Sequence, residues 1–163
     1  MVRIAARAKV TGTAGDRVTI NFEGVVEITG GRQQEIQKTT PADWCDYYGV
    51  HVVDGVALLY KAVDSNYRSF RGGDYTPGST PSVPVFKPEP ECAAGALYFS
   101  PTPRHTHEFV TNPDRYVACP VWLEDIVTHP SGQYPAKVKA IGCCAPVYEV
   151  DVHGDPITKT EAA

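Results

Sequence analysis

The sequence predicts an α+β fold: a single domain on a mainly antiparallel sheet of short strands, with one or two short helices and a long Pro/Gly-rich loop. Three observations carry this expectation. Gly and Pro number 14 each among 163 residues, enough to divide the chain into many turns. Apolar residues recur with a period of two in several short runs, the pattern of half-buried strands. One stretch, residues 64–91, is dense in Pro and Gly and carries neither period, so it is expected as an irregular connection.

In chain order, "RVTINFEGVVEITGG" alternates Val18, Ile20 and Phe22 against Thr19, Asn21 and Glu23 and ends at Gly30-Gly31. A hairpin or bulged strand is expected there, within an N-terminal extension spanning residues 1–45. Thr40-Pro41 then offers an N-cap followed by a first helical residue, which predicts one short helical turn. A core is expected over residues 50–157. In "VHVVDGVALLYKAV", Asp54-Gly55 between two apolar runs is a hairpin signal. "GALYFSPT" and "RYVACPVWL" read as strands, with Thr102-Pro103 opening a short helix between them. "LEDIVTHPSG" reads as a turn or helical turn, and "AKVKAIGC" and "APVYEVDVHG" as the closing strands. Four aromatics in the long connection, Tyr67, Phe70, Tyr75 and Phe86, predict that it packs against the domain.

Composition narrows the function classes. Hydrophobic residues at 42% and charged residues at 21% exclude a disordered chain. A net charge of −4 lacks the basic footprint of a nucleic-acid binder, so a protein partner is expected in preference to nucleic acid. No run approaches the roughly 18 apolar residues of a membrane span. The basic N-terminus has no apolar signal core, and five cysteines, an odd number, suit a reducing compartment. A cytoplasmic protein is expected.

Cys92, Cys119 and Cys143 are the candidate metal ligands, with zinc the metal such a set would take. No C-x₂₋₄-C knuckle joins them, and buried packing is the preferred reading of free thiols. Cys143 and Cys144 are adjacent, so on a strand they point to opposite faces and at most one joins any site. His105 and His107, two apart in "RHTHEF", share no helical face and read as surface residues. Glu149 and Asp151 alternate with Tyr148 and Val150 and point to one side of a strand. No phosphate-binding glycine loop, G-x-S-x-G elbow or H-E-x-x-H helix occurs.

The stretches "LYKAVDSNYRSFRGGDYTPGSTP", "ECAAGALYFSPTP", "RYVACPV" and "YPAKVKAIGCCAPVYEVD", within residues 57–153, resemble a family of uncharacterised domains of actinobacteria and their phages. That resemblance implies no activity. A more distant similarity is to ADP-ribosyltransferases, whose order of an early basic residue, a middle Ser or Tyr and a late Glu is matched by Lys61, by Tyr98 or Ser100, and by Glu149. It implies an NAD-dependent enzyme in which Lys61, Tyr98, Ser100 and Glu149 share one cleft, with NAD as cofactor. The sequence departs from that family in having Lys for Arg or His, Ser-Pro-Thr for Ser-Thr-Ser, and no Glu-x-Glu.

The reading preferred over that one is a non-catalytic binding or regulatory protein whose partner the sequence leaves open, with a phage-encoded protein acting on a host protein as one form of it. Tyr67, Arg68, Phe70, Arg71 and Tyr75 of the long connection would supply its contacts, because aromatic and Arg side chains dominate binding hot spots.

Overall fold

The computed structural model describes residues 2–4, 11–13, 19–22, 27–35, 40–89, 91–92 and 94–157. The chain divides into two compact units, Met1–Lys38 and Thr39–Ala163.

The first unit holds five short strands: β1 (Val2–Ile4), β2 (Thr11–Thr13), β3 (Thr19–Phe22), β4 (Glu27–Thr29) and β5 (Arg32–Glu35). They pair in parallel as β1-β3-β5 and β2-β4, so successive strands alternate between two sheets. The hairpin expected over residues 17–31 is therefore corrected. Alternation in β3 marks a strand with one buried face, and Ile20 is indeed buried. Its neighbours, however, are β1 and β5 rather than β4. Gly30 and Gly31 have φ of 81° and 69°, a left-handed pair that turns the chain out of β4 and into β5, in the other sheet.

The second unit carries the α+β fold, and each of its strand pairs is antiparallel. It opens with helix α1 (Pro41–Tyr48), where Thr40 Oγ1 accepts from Asp43 N–H at 3.1 Å and Pro41 stands at the first turn. The helix runs eight residues rather than one turn, because it has a core to rest on. Trp44 and Cys45 are buried, and Trp44 Nε1 donates to Pro135 O at 2.9 Å. Gly49, in the left-handed conformation, ends it.

Strands β6 (Val52–Val53) and β7 (Val56–Val63) form the hairpin signalled by Asp54-Gly55, whose φ values of 50° and 77° are those of a primed turn. Next come β8 (Leu97–Phe99), β9 (Arg115–Trp122), β10 (Val138–Ala140) and β11 (Tyr148–Val150). One sheet has the order β11-β9-β7-β6; a second pairs β10 with β8. Tyr60 and Ser100 exchange two backbone hydrogen bonds of 2.9 Å, which stitch β8 to β7. The short helix after Thr102-Pro103 is a 3₁₀ turn, Arg104–Glu108, and a second spans Leu123–Asp125.

Period two decides what β7 and β9 bury. Ala57, Leu59, Lys61 and Val63 of β7 stand opposite Val121, Cys119, Val117 and Arg115 of β9, so these eight side chains share one face. Leu59, Val63, Val117, Cys119 and Val121 belong to the core with Phe99, Val138, Ala140 and Val147. Each such aliphatic side chain contributes about 1.5–3 kcal/mol by leaving water. The long connection is held down along this body. Gly78 N donates to Val147 O, Val147 N to Ser79 O, Val83 N to Ile141 O and Cys143 N to Pro81 O. Its prolines suit a strap that takes hydrogen bonds only at intervals.

Candidate functional site

Lys61 is the polar residue in phase with the apolar face of β7. The residue is half-buried, and its ammonium is desolvated. Nζ donates to Tyr98 O at 2.8 Å and lies 5.6 Å from the Tyr75 ring centre. Burial, reinforced by the nearby Arg71 and Lys137 cations, pulls its pKa from 10.5 down to about 8, against a smaller opposing pull from Cys119 and Cys143.

That ammonium faces a cavity of about 630 Å³, within the size range of small-molecule sites. Four segments build it. β7 supplies Tyr60, Lys61 and Ala62; β8 and its approach supply the run from Ala94 to Ser100. The 3₁₀ region supplies Thr106, Phe109 and Val110, and the segment before β10 supplies Tyr134 and Lys137. Over the cavity lies the tip of a tight excursion, residues 64–75, closed by Tyr75 N to Tyr67 O and Ser69 N to Gly73 O. Phe70 and Arg71 stand at that tip, both exposed, with Phe70 at 92%.

A second cation, Lys137, lines the same cavity. Lys137 is only 7% exposed, and its Nζ lies 4.7, 5.2 and 5.4 Å from the ring centres of Tyr134, Tyr98 and Phe109. Three rings around one ammonium form a cation–π enclosure. Nζ also stands 2.7 Å from Cys92 Sγ. With Arg71, the cavity thus has three cationic side chains and, among its described lining residues, no carboxylate.

Of the four residues expected to share a catalytic cleft, the cavity unites Lys61, Tyr98 and Ser100. Glu149 is not among its lining residues. It stands on the same sheet face as Lys61, across Val117, two strands away. Its carboxylate is engaged elsewhere: Arg115 donates to Oε1 at 2.6 Å and Tyr67 O–H to Oε2 at 2.6 Å. Arg115 also lies over the Tyr67 ring at 5.1 Å. Burial of Glu149 at 9% exposed makes this a clamp that holds the 64–75 excursion to β9 and β11, with Tyr67 at a φ of 59°. A non-glycine residue in that conformation is costly, and the two ring-oxygen partners hold it there.

The expected binding residues divide accordingly. Phe70 and Arg71 are presented at the cavity rim. Arg68 pairs with Asp74 at 3.3 Å on the surface, Tyr67 is taken up by Glu149, and Tyr75 is 1% exposed in the core. Tyr67 and Tyr75 are therefore corrected from partner anchors to internal packing.

The expected metal set is corrected too. Among the described residues no three Cys, His, Asp or Glu side chains gather into a cation site. Cys92 lines the cavity, whereas Cys119 and Cys143 adjoin one another in the core, where burial and the Cys143 contact raise the Cys119 thiol far above its ordinary pKa. The vicinal pair is geometry rather than chemistry. Cys143 N is spent on Pro81 O and Cys144 N on Pro120 O, seating the chain between β10 and β11. His105 turns to Thr102 Oγ1 at 2.8 Å and His107 to the Tyr116 hydroxyl at 2.6 Å, so the two histidines share no site.

Cys92 and Lys137 as a facing pair, and Lys137, Phe109 and Tyr134 as cavity walls, were not singled out from the sequence. Comparison with family models, curated proteins and solved structures gives no match.

Proposed function

We propose that the second unit is a non-catalytic binding domain whose cavity takes a small organic anion with an apolar or aromatic body. One observation carries this reading. A protein of net charge −4 gathers Lys61, Arg71 and Lys137 around a single cavity, with no carboxylate among the described lining residues. Like charges are held together at a cost unless something of opposite sign joins them, and low-dielectric walls concentrate their field. The aromatic lining suits a flat body, and Tyr98 O already holds Lys61 in position. Phe70 and Arg71 at the rim then report occupancy outward to a protein partner.

The test is thermal unfolding of the full chain with 2-naphthoate, citrate, ADP and NAD⁺. A ligand at one hundred times its Kd stabilises by about 2.7 kcal/mol, which shifts the midpoint by several degrees. A shift with at least one aromatic anion, lost in Lys61→Met, supports the reading; no shift with any of the four refutes it.

A second reading, the NAD-dependent transferase, is favoured by one feature: Lys61, Tyr98 and Ser100 do line one cavity, with Arg71 placed for a phosphate. It requires Glu149 to leave Arg115 and Tyr67. Nicotinamide release from NAD⁺ that vanishes in Glu149→Gln would select it over simple binding.

A further inference from the structure

We propose that Cys92 and Lys137 form a covalent cross-link through one bridging oxygen, Lys Nζ–O–Sγ Cys, so that the cavity wall is a site of reversible oxidation. The separation points to it. Nζ and Sγ lie 2.7 Å apart. Sulfur is larger than oxygen, so an N–H···S hydrogen bond should exceed the roughly 2.7–3.2 Å of N–H···O. A separation this short is too long for a direct N–S bond and matches two single bonds meeting at one oxygen atom.

The surroundings prepare the pair. Lys137 is 7% exposed and enclosed by the rings of Tyr98, Phe109 and Tyr134, so its amine has little freedom to move away. Among the described residues, the Cys92 sulfur is the hydrogen-bond partner of its ammonium. Cys92 is exposed and therefore open to an oxidant. The neighbouring Glu91 fixes it from the other side. Glu91 Oε2 accepts from Gln133 N–H at 3.1 Å and Oε1 from Tyr134 N–H at 3.2 Å. Lys137 N–H donates in turn to Tyr134 O at 2.9 Å. The thiol and the amine thus come from segments bolted to the same turn.

The oxidant is dioxygen. One thiol, one free amine and one O₂ give the bridge and one water: the S–H and one N–H bond break, and S–O and N–O bonds form. Sulfur and nitrogen each give up two electrons and dioxygen takes four. One oxygen atom stays in the bridge, and the other leaves as water with the two hydrogens. Two equivalents of a dithiol, each oxidised to its disulfide, supply the four electrons and four hydrogens that return the thiol and the amine and release the oxygen as water. The bridge converts a basic ammonium into a weakly basic N–O nitrogen, which removes one of the cavity's three charges.

The experiment is intact-mass and peptide mass spectrometry of the full chain, first reduced and then exposed to air. Gain of one oxygen and loss of two hydrogens adds about 14 Da, reversed by dithiothreitol, which separates it from a methyl group. The expected result is this reversible increment, with a cross-linked peptide pair containing Cys92 and Lys137. It should be absent in Cys92→Ser and in the conservative Lys137→Arg. Two results overturn the proposal: wild type with no such increment after prolonged aeration, or Cys92 advancing to sulfinic acid with Lys137 unmodified. The mass readout stands whether or not any anion binds the cavity.

Discussion

Anion affinity should fall as pH rises through about 8, because Lys61 loses its charge there rather than near 10.5. Burial disfavours the charged form, so the free protein sheds this proton two to three units early. With a probe ionised throughout, such as 2-naphthoate, affinity between pH 6.5 and 9 follows the charged fraction of Lys61. That fraction drops from nearly one to about one in eleven, an affinity loss of about tenfold or 1.4 kcal/mol. Calorimetric titration at three pH values measures it. Lys61→Met should bind more weakly at pH 6.5 and show no such step. A wild-type affinity constant over this range, or the same slope in the variant, would refute the placement of Lys61 at the ligand.

The same shift has a stability consequence of opposite sign. Between pH 8 and 10.5 the unfolded chain holds the Lys61 proton and the native chain does not, so stability rises with pH there. Relative to Lys61→Met, wild type should gain about 2 kcal/mol between pH 7 and 9.5 in urea denaturation. Cys45, raised by burial from 9.0 to about 11, acts the other way above pH 9 in both proteins and cancels in the comparison. Gly142→Ala should destabilise by about 1–3 kcal/mol, because a Cβ there would meet Ser82 Cβ at 2.7 Å and Pro81 O at 2.8 Å and push the strap off β10. Its denaturation midpoint should fall and amide exchange should rise over residues 79–83. Glu149→Gln should cost about 1–2 kcal/mol, toward the low end for a charged hydrogen bond because Arg115 remains hydrated. Protease cutting within the 64–75 excursion should speed up with it.

Local chemistry was the legible part. Thr40-Pro41 and Asp54-Gly55 set a helix start and a hairpin through their own backbone preferences, and both elements stand where those residues put them. Lys61 was singled out only through the similarity to ADP-ribosyltransferases; its place on the otherwise apolar face of β7 follows from the strand register. Partner choice was not legible. Alternation places Glu149 on a face, but only the β9–β11 register brings it to Arg115, 34 residues earlier. Period two in β3 reports a strand equally well in a hairpin and in a parallel stack, which is why the N-terminal pairing was misjudged. Cys92 and Lys137 are 45 residues apart in unremarkable contexts, and folding alone makes them neighbours. Tyr67 and Tyr75 read as surface anchors from composition, yet aromatics in a Pro-rich strap serve equally well to glue it down.

The most direct measurement titrates the full chain with two ligands of the same ring, 2-naphthoate and its trimethylammonium counterpart. A cavity that joins Lys61, Arg71 and Lys137 should bind the carboxylate and reject the cation. Equal affinity, or tighter binding of the cation, would contradict the claim that positive charge defines this site.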